Sequence, residues 1–447
     1  MKKLFSFAAL VGCMLLLWGC PEKPDDPVIE DSIKVTPTSL NAVYGGETLT
    51  VTVTASGEFT PTPDVAWLTA SGTTITVAEN TTYEPRTGKV TYTCGTASEK
   101  VTVTQEAAPK PKVYTELDGP ANCYIVSAAG DYKIKATVIG NGDAGLHSSF
   151  PITSSAISPA GATLVWQEVE GLISDVQLND GYLCFTCANK DGNAVVAATA
   201  ADGTILWSWH IWSAEAPDDV VCVGNEITYT MMDRNLGATM TTGPEADGLY
   251  FQWGRKDPFS AVLGFDSANG EGWYHPVTGG GDDAGNADIH CIEYSVAHPI
   301  EYIAKSDRNN DWLKEPNQRL LWGLDYSATS SREAYQSFKP IFDPCPKGYA
   351  VASAWCFVEG LNTGSSMNDD NSVNLFGGKI RVPAAGFIYN GGYGWYDADG
   401  AGWAGLWTCS TSWGNTENAF RLRSIDDACD NYDRATGHPV RCVKFAE

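Results

Sequence analysis

Between residues 48 and 54 the chain reads Thr-Leu-Thr-Val-Thr-Val-Thr, an unbroken two-residue alternation of apolar and hydroxyl side chains. No helix can use this pattern: a period of two scatters like residues around a helix but gathers them on one face of a strand. The same alternation returns in KVTYTC (residues 89–94) and KVTVTQ (residues 100–105). It predicts half-buried strands with Leu49, Val51 and Val53 inward and threonine and lysine outward. With turns between them, residues 33–107 are expected to fold as a small β-sandwich.

The N-terminus indicates the compartment. Lys2 and Lys3 precede an apolar run, Leu4 to Trp18, which is too short for a spanning helix and is flanked as a secretory leader is. The run ends Leu16-Leu17-Trp18-Gly19-Cys20, which resembles the lipobox of bacterial lipoproteins. That resemblance implies a leader over residues 1–19, lipid on the Cys20 thiol and a flexible Pro/Asp-rich tether over 20–32. Several acyl chains on one residue hold a protein stably at a bilayer, whereas one is marginal. The acidic PEKPDDP after Cys20 is similar to the surface-export signals of some Gram-negative lipoproteins. The implied location is the outer membrane, exposed at the cell surface, with the lipid anchor as the sole membrane contact.

A formal charge of -25 argues against nucleic acid and anionic lipid headgroups as partners. The 447 residues suffice for about three domains, and 43% hydrophobic content favours packed cores over disorder. Of 13 cysteines, Cys13 leaves with the leader and Cys20 carries lipid, so an odd number remains. Cys184 and Cys187 have CxxC spacing, but on a strand they face opposite surfaces. They are expected to be packed thiols rather than a redox or zinc pair.

Within 33–107, Trp67-Leu68, ITVAEN ending at Asn80, Arg86 before a strand, and the closing VTVTQEA with Gln105 resemble the BACON domain. The resemblance implies an immunoglobulin-like sandwich, taken here as a stalk. A Pro/Lys linker (108–112) leads to a second β-rich module, 113–215, with hairpin turns at Asn179-Asp180-Gly181 and Asp202-Gly203, which is expected to extend the stalk. This module ends in ILWSWHIW (205–212). Ile205, Trp207, Trp209 and Ile211 share an apolar face and are expected in the core. His210 and Trp212 lie on the mixed face and are the members kept as possible surface contacts.

From residue 222 to 447 strands thin out and Gly, Asp, Asn and Trp multiply. MMDRNLGAT (231–239), GLYFQWGRKDPF (248–259), DPCPKGY (343–349), VPAAGF (382–387), GLWTCSTS (405–412) and HPVRCV (438–443) resemble the signatures of the FISUMP, or major paralogous domain, family. Two positions depart from it: Ala350-Val351-Ala352 follows Tyr349, and Cys409 stands where serine is usual. The resemblance implies an α+β C-type-lectin-like domain, so the whole chain is expected to be mainly β and multidomain. Such folds bring their chain ends together. Cys345 and Cys442, at the start and end of the domain's second half, are therefore expected to bridge or to lie within bonding reach.

Asp233, Arg234, Asn235, Arg255 and Asp257, the polar heart of these motifs, are expected to be structural, with Arg and Asp pairing among the aromatics. Glu315-Pro316-Asn317 and Trp413-Gly414-Asn415 are too far apart to form a lectin calcium site. The acidic pairs Asp282-Asp283, Asp369-Asp370 and Asp426-Asp427 lack the alternate spacing of a calcium loop and are expected as solvated turns. His275, His290 and His298 form no zinc motif. No nucleophile elbow or phosphate loop occurs, so a non-enzymatic protein without cofactor is expected. The binding candidates are Tyr389, Tyr393, Trp395, Tyr396, Asp397, Asp399 and Trp403, rigid aromatic faces beside carboxylates that suit sugar rings, with core plugs as the competing role. The expected partner is an extracellular glycan, or alternatively a surface or pilus protein bound by an adhesive subunit.

Overall fold

The computed structural model describes residues 30–260, 289–303, 310–314, 320–323, 338–389, 392–394, 404–411, 418–423 and 429–445. The chain is mainly β and divides between Lys112 and Val113 into two compact units. Among the described residues no helix is long and apolar enough to cross a membrane.

The first unit is built on the alternating segments. Its four-stranded sheet orders Ser39–Ala42, Ala97–Gln105, Arg86–Cys94 and Thr60–Pro63, and a three-stranded sheet orders Glu47–Thr50, Thr74–Val77 and Leu68–Ser71. Ile33–Thr36 pairs with Thr52–Ala55. Every second residue of the long hairpin, including Val90, Tyr92, Val101 and Val103, enters the core beside Leu68, Ile75 and Val77. The polar motif residues stitch this core shut. Arg86 donates from Nε to the Gln105 side chain (2.8 Å) and from Nη2 to the carbonyls of Ala78 and Glu79, and its guanidinium lies 4.5 Å from the Trp67 ring. Gln105 in turn donates to three backbone carbonyls, and Asn80 to those of Glu84 and Glu106. These side chains thereby add donors to backbone carbonyls at the end of the sheets.

The second unit starts with a sandwich of two four-stranded sheets. One orders Thr115–Glu116, Gly130–Lys135, Tyr182–Cys187 and Ile173–Asn179; the other orders Cys123–Val126, Ile205–Ser213, Gly192–Thr199 and Gly161–Gln167. All eight residues of Gly192–Thr199 are buried, the mark of a strand covered on both faces. The tryptophan strand beside it behaves alike. Trp207 and Trp209 are in the core as expected, but Trp212 and His210 are buried as well, at 0% and 2% exposure. The mixed face is no surface, because later parts of the chain cover it. Ser208 hydrogen-bonds the buried Lys256–Asp257 ion pair, and His210 Nε2 meets Asn193 Oδ1 (2.8 Å), whose amide donates to the Gly237 carbonyl. The short helix α1 (Ile292–Ala297) packs on the same strand. Burial holds the His210 imidazole down to about 3, hence neutral.

One buried cluster runs from Ala121 through the tryptophans to Trp407, Val440 and Cys442. Residues 113–215 and the later elements therefore share a core. Beyond it, a sheet orders Asp219–Val223, Thr228–Met232, Cys442–Lys444 and Tyr349–Val351, so the last strand returns beside the start of the region. Helix α2 (Ala354–Asn362), capped by the Ser353 hydroxyl, buries Cys356 and Phe357 against a second cluster with Leu375, Ile380 and Leu406. Cys345 and Cys442 form a disulfide, their Cα atoms 6.0 Å apart. Cys184 and Cys187 are buried free thiols.

Candidate functional site

Cys20 and the aromatic candidates Trp395, Tyr396, Asp397, Asp399 and Trp403 lie outside the described residues. Tyr389 closes the strand Ile388–Tyr389 and Tyr393 is central in Gly392–Gly394; the two strands pair antiparallel, and Ile388 also pairs with Gly437. Glu315-Pro316-Asn317, Trp413-Gly414-Asn415, His275, Asp282-Asp283 and Asp426-Asp427 also lie outside. His290 and His298 are each engaged with a backbone carbonyl, those of Trp312 and Tyr294.

The polar motif residues are structural braces. Arg234 holds Asp233 through two 2.9 Å bonds. Arg255 pairs with no motif aspartate: it donates to the Gln252 side chain and to the carbonyls of Glu301, Ser295 and His298, fixing the end of α1. Asp257 is instead the partner of Lys256. Asn235 donates to the Asp247 carbonyl (3.0 Å) and accepts from Arg441 Nε (2.9 Å). Because the sequence places these groups among Tyr250, Phe251 and Trp253, each must meet a partner in the interior.

That bracing sets up a cleft of about 530 Å³, lined on one side by Pro244 and Asp247 and on the other by Asp370, Ser372, Arg381 and Pro383. This is within the usual range for small-ligand sites. Pro244–Ala246 makes one 3-10 turn, after which Gly248 adopts φ +73°; a Cβ there would lie 2.7 Å from the Leu236 carbonyl oxygen. The turn needs glycine and delivers Asp247 to the cleft. On the opposite wall Asp370 sits in an exposed turn, as expected, but its carboxyl is engaged. It accepts from the Ser372 hydroxyl (2.6 Å) and pairs with Arg381 Nη2, while Arg381 Nε donates to Ser372 (2.9 Å). The Ser372 hydroxyl, first, and then Arg381 hold the Asp370 carboxyl below its ordinary value.

Asp247 is the opposite case. It is 5% exposed, and no side-chain hydrogen bond or ion pair is formed by its carboxyl among the described residues. Burial, reinforced by the charge of Glu245, pushes it up to about 7. A raised carboxyl stabilises the fold only while protonated. Its contribution is complete below the unfolded value of about 4 and is lost as pH climbs to the folded value near 7. Asp247→Asn should therefore leave stability unchanged near pH 4 and raise it by roughly 2–4 kcal/mol at pH 8. Urea unfolding of parent and variant at both pH values checks this; an equal difference at both would contradict it. Neither Asp247 nor Arg381 was legible as a site residue, since no motif singles out either one and only the fold brings them to one cleft.

The two units define the class: a β-sandwich followed by a larger β-rich body in which short helices and loops carry the cleft. Residues 57–106, within the first unit, match the BACON family, described as a putative binding domain, N-terminal. No curated protein matches the chain. Among solved structures, a Bacteroides ovatus GH5 xyloglucanase in complex with a heptasaccharide is 24% identical over 20% of this chain and 22% of its own, with a TM-score of 0.17. An NMR structure of a protein from Bacteroides thetaiotaomicron is 16% identical over 20% of this chain and 97% of its own, TM-score 0.16. SGBP-B of a Bacteroides ovatus mixed-linkage glucan utilization locus, in complex with a heptasaccharide, is 13% identical over 46% and 55%, TM-score 0.15. The chain spans about a fifth of the xyloglucanase it matches.

Proposed function

We propose that the protein is a non-enzymatic, surface-exposed outer-membrane lipoprotein that binds extracellular glycan through a lectin-like C-terminal region. The observation that carries the reading is the open cleft, whose lining includes both the nearly buried Asp247, with no protein donor to its carboxyl, and Arg381. The chain leaves that cleft after Ala384 and enters the aromatic stretch at Tyr389. In this reading Tyr389, Tyr393, Trp395, Tyr396 and Trp403 stack on sugar rings, with Asp397 and Asp399 taking hydroxyls. The BACON-matching unit acts as spacer, its motif residues being occupied in holding its own core. Residues 113–215 belong with the binding body, since they share its core.

A glycan-array screen of residues 21–447, with and without chelator, tests the reading: binding to a defined glycan set is expected, unaffected by chelator. Anchoring is tested separately. Cys20→Ala should abolish lipid labelling and release the protein from membranes, and a variant that stays membrane-bound would rule out the lipid. A second reading, an adhesive or pilus-associated subunit, is favoured by the edge strand Asp219–Val223, whose Val221 and Val223 are 52% and 57% exposed and could accept an added strand. A silent array together with capture of a surface protein on that edge would select it.

A further inference from the structure

Asp247 is held in place without being satisfied. Its backbone is fixed at both ends, the carbonyl by Asn235 and the amide by the Pro244 carbonyl, yet the residue lines the cleft and its carboxyl has no protein donor. A carboxyl that is nearly buried and has no protein donor is poorly solvated, and a rigid turn that keeps it at the cleft points to a donor from outside the chain. Across the cleft, Arg381 spends Nε on Ser372 and Nη2 on Asp370, which leaves Nη1 without a protein partner. Pro244 and Pro383 add apolar walls.

The charges narrow the ligand. Glu245, Asp247 and Asp370 outnumber Arg381 around the cleft, so a carboxylated, sulfated or phosphorylated group meets net repulsion. An ammonium meets no net repulsion there, but it has no lone pair with which to accept from the guanidinium, so it engages one wall alone. Among the described residues no set of three His, Cys, Asp or Glu is placed to hold a metal ion. A hydroxyl suits both walls, because it donates to a carboxylate and accepts from a guanidinium. Two adjacent hydroxyls on one ring can engage both at once.

We propose that this cleft is a subsite for one neutral sugar unit, held through adjacent ring hydroxyls by Asp247 and the free Nη1 of Arg381, with the ring edge against Pro244 and Pro383. The subsite rests on the glycan-binding reading and sharpens it: uncharged glycans bind, uronic-acid and amino-sugar polymers do not. Asp247 acts as an acceptor and Arg381 as a donor; no bond is made or broken.

The test uses residues 21–447 in calorimetry and saturation-transfer NMR. The probes are neutral tetrasaccharides of glucose (β-linked and α-linked), mannose and xylose, with tetragalacturonate and tetraglucosamine as charged counterparts. At least one neutral probe should bind, and both charged probes at least tenfold more weakly. Asp247→Ala and Arg381→Gln should each weaken the neutral probe at least tenfold, and Ala384→Trp, which fills the cleft from its wall, should abolish binding. Three variants are used so that a misfolded one, detected by its melting, leaves two. A charged probe that equals the best neutral one overturns the proposal, as does unchanged affinity in the folded variants while the parent still binds; the broader glycan reading survives either result. If the parent binds none of these probes and the array is also silent, the broader reading falls and takes the subsite with it.

Discussion

Trp212→Ala is expected to destabilise the second unit by about 3–5 kcal/mol, as much as Trp207→Ala and Trp209→Ala. All three indoles are within 1% of full burial, so truncation of any one removes a large apolar side chain and leaves a cavity in a core that cannot close over it. Trp207 also donates from its ring nitrogen to the Asn122 side chain (3.0 Å), and Asn122 donates onward to the carbonyls of Ile341 and Asp343. Its loss should reach the region around Cys345. The check is denaturant unfolding of the three single variants beside the parent. A Trp212→Ala protein within about 0.5 kcal/mol of the parent would place that ring at a surface and return the stretch to the list of ligand contacts.

Arg434→Ala should cost a similar amount, about 3–5 kcal/mol, for a different reason. Arg434 and Asp311 form an ion pair at 3.2 Å in which both side chains are fully buried, and the guanidinium lies 4.1 Å from the Trp253 ring. Burial alone lifts the Asp311 carboxyl to about 6 even though Arg434 pulls it the other way. Removal of the arginine leaves that carboxylate with two backbone donors and no countercharge. The double change Arg434→Met with Asp311→Leu should recover most of the loss, because no charge is then left in the interior. Chemical unfolding of the single and double variants decides the matter. A double variant no more stable than Arg434→Ala would show that the arginine acts through shape and ring contact rather than charge.

What could be read beforehand follows from how local each signal is. The alternation at 48–54, 89–94 and 100–105 fixes strand faces within a few residues, and Val51, Val90, Tyr92, Val101 and Val103 of the first unit's core lie on those faces, with Leu49 and Val53 partly buried against it. The inward direction of Trp207 and Trp209 was legible for the same reason. Burial of the mixed face, with His210 and Trp212, was not, because the groups that meet it, Asn193 and Gly237 at His210 and the Lys256–Asp257 pair at Ser208, come from elsewhere in the chain. The motif polar residues could be assigned a structural role from chemistry alone, but not their partners: Arg255 turned out to clasp carbonyls around α1. The cleft was invisible for a further reason. Asp247 and Arg381 are separated by more than a hundred residues, and a lone aspartate after a proline turn is indistinguishable in sequence from any solvated one.

The pairing of Ser39–Ala42 with Ala97–Gln105 is parallel, in register from Ser39 opposite Thr102 to Ala42 opposite Gln105. These strands lie near the two ends of the first unit. If the chain is pulled from its ends, and once Ile33–Thr36 has come away from Thr52–Ala55, tension draws Ser39–Ala42 toward its N-terminus and Ala97–Gln105 toward its C-terminus. Two parallel strands drawn that way slide along one another instead of peeling apart. Their slanted hydrogen bonds then bear the load together, and rupture requires that they break at once, not one after another as when a hairpin unzips. Pulled from its ends, this pairing is expected to yield at higher force than the antiparallel hairpin Arg86–Cys94 with Ala97–Gln105 would when unzipped, a difference that equilibrium stability does not report.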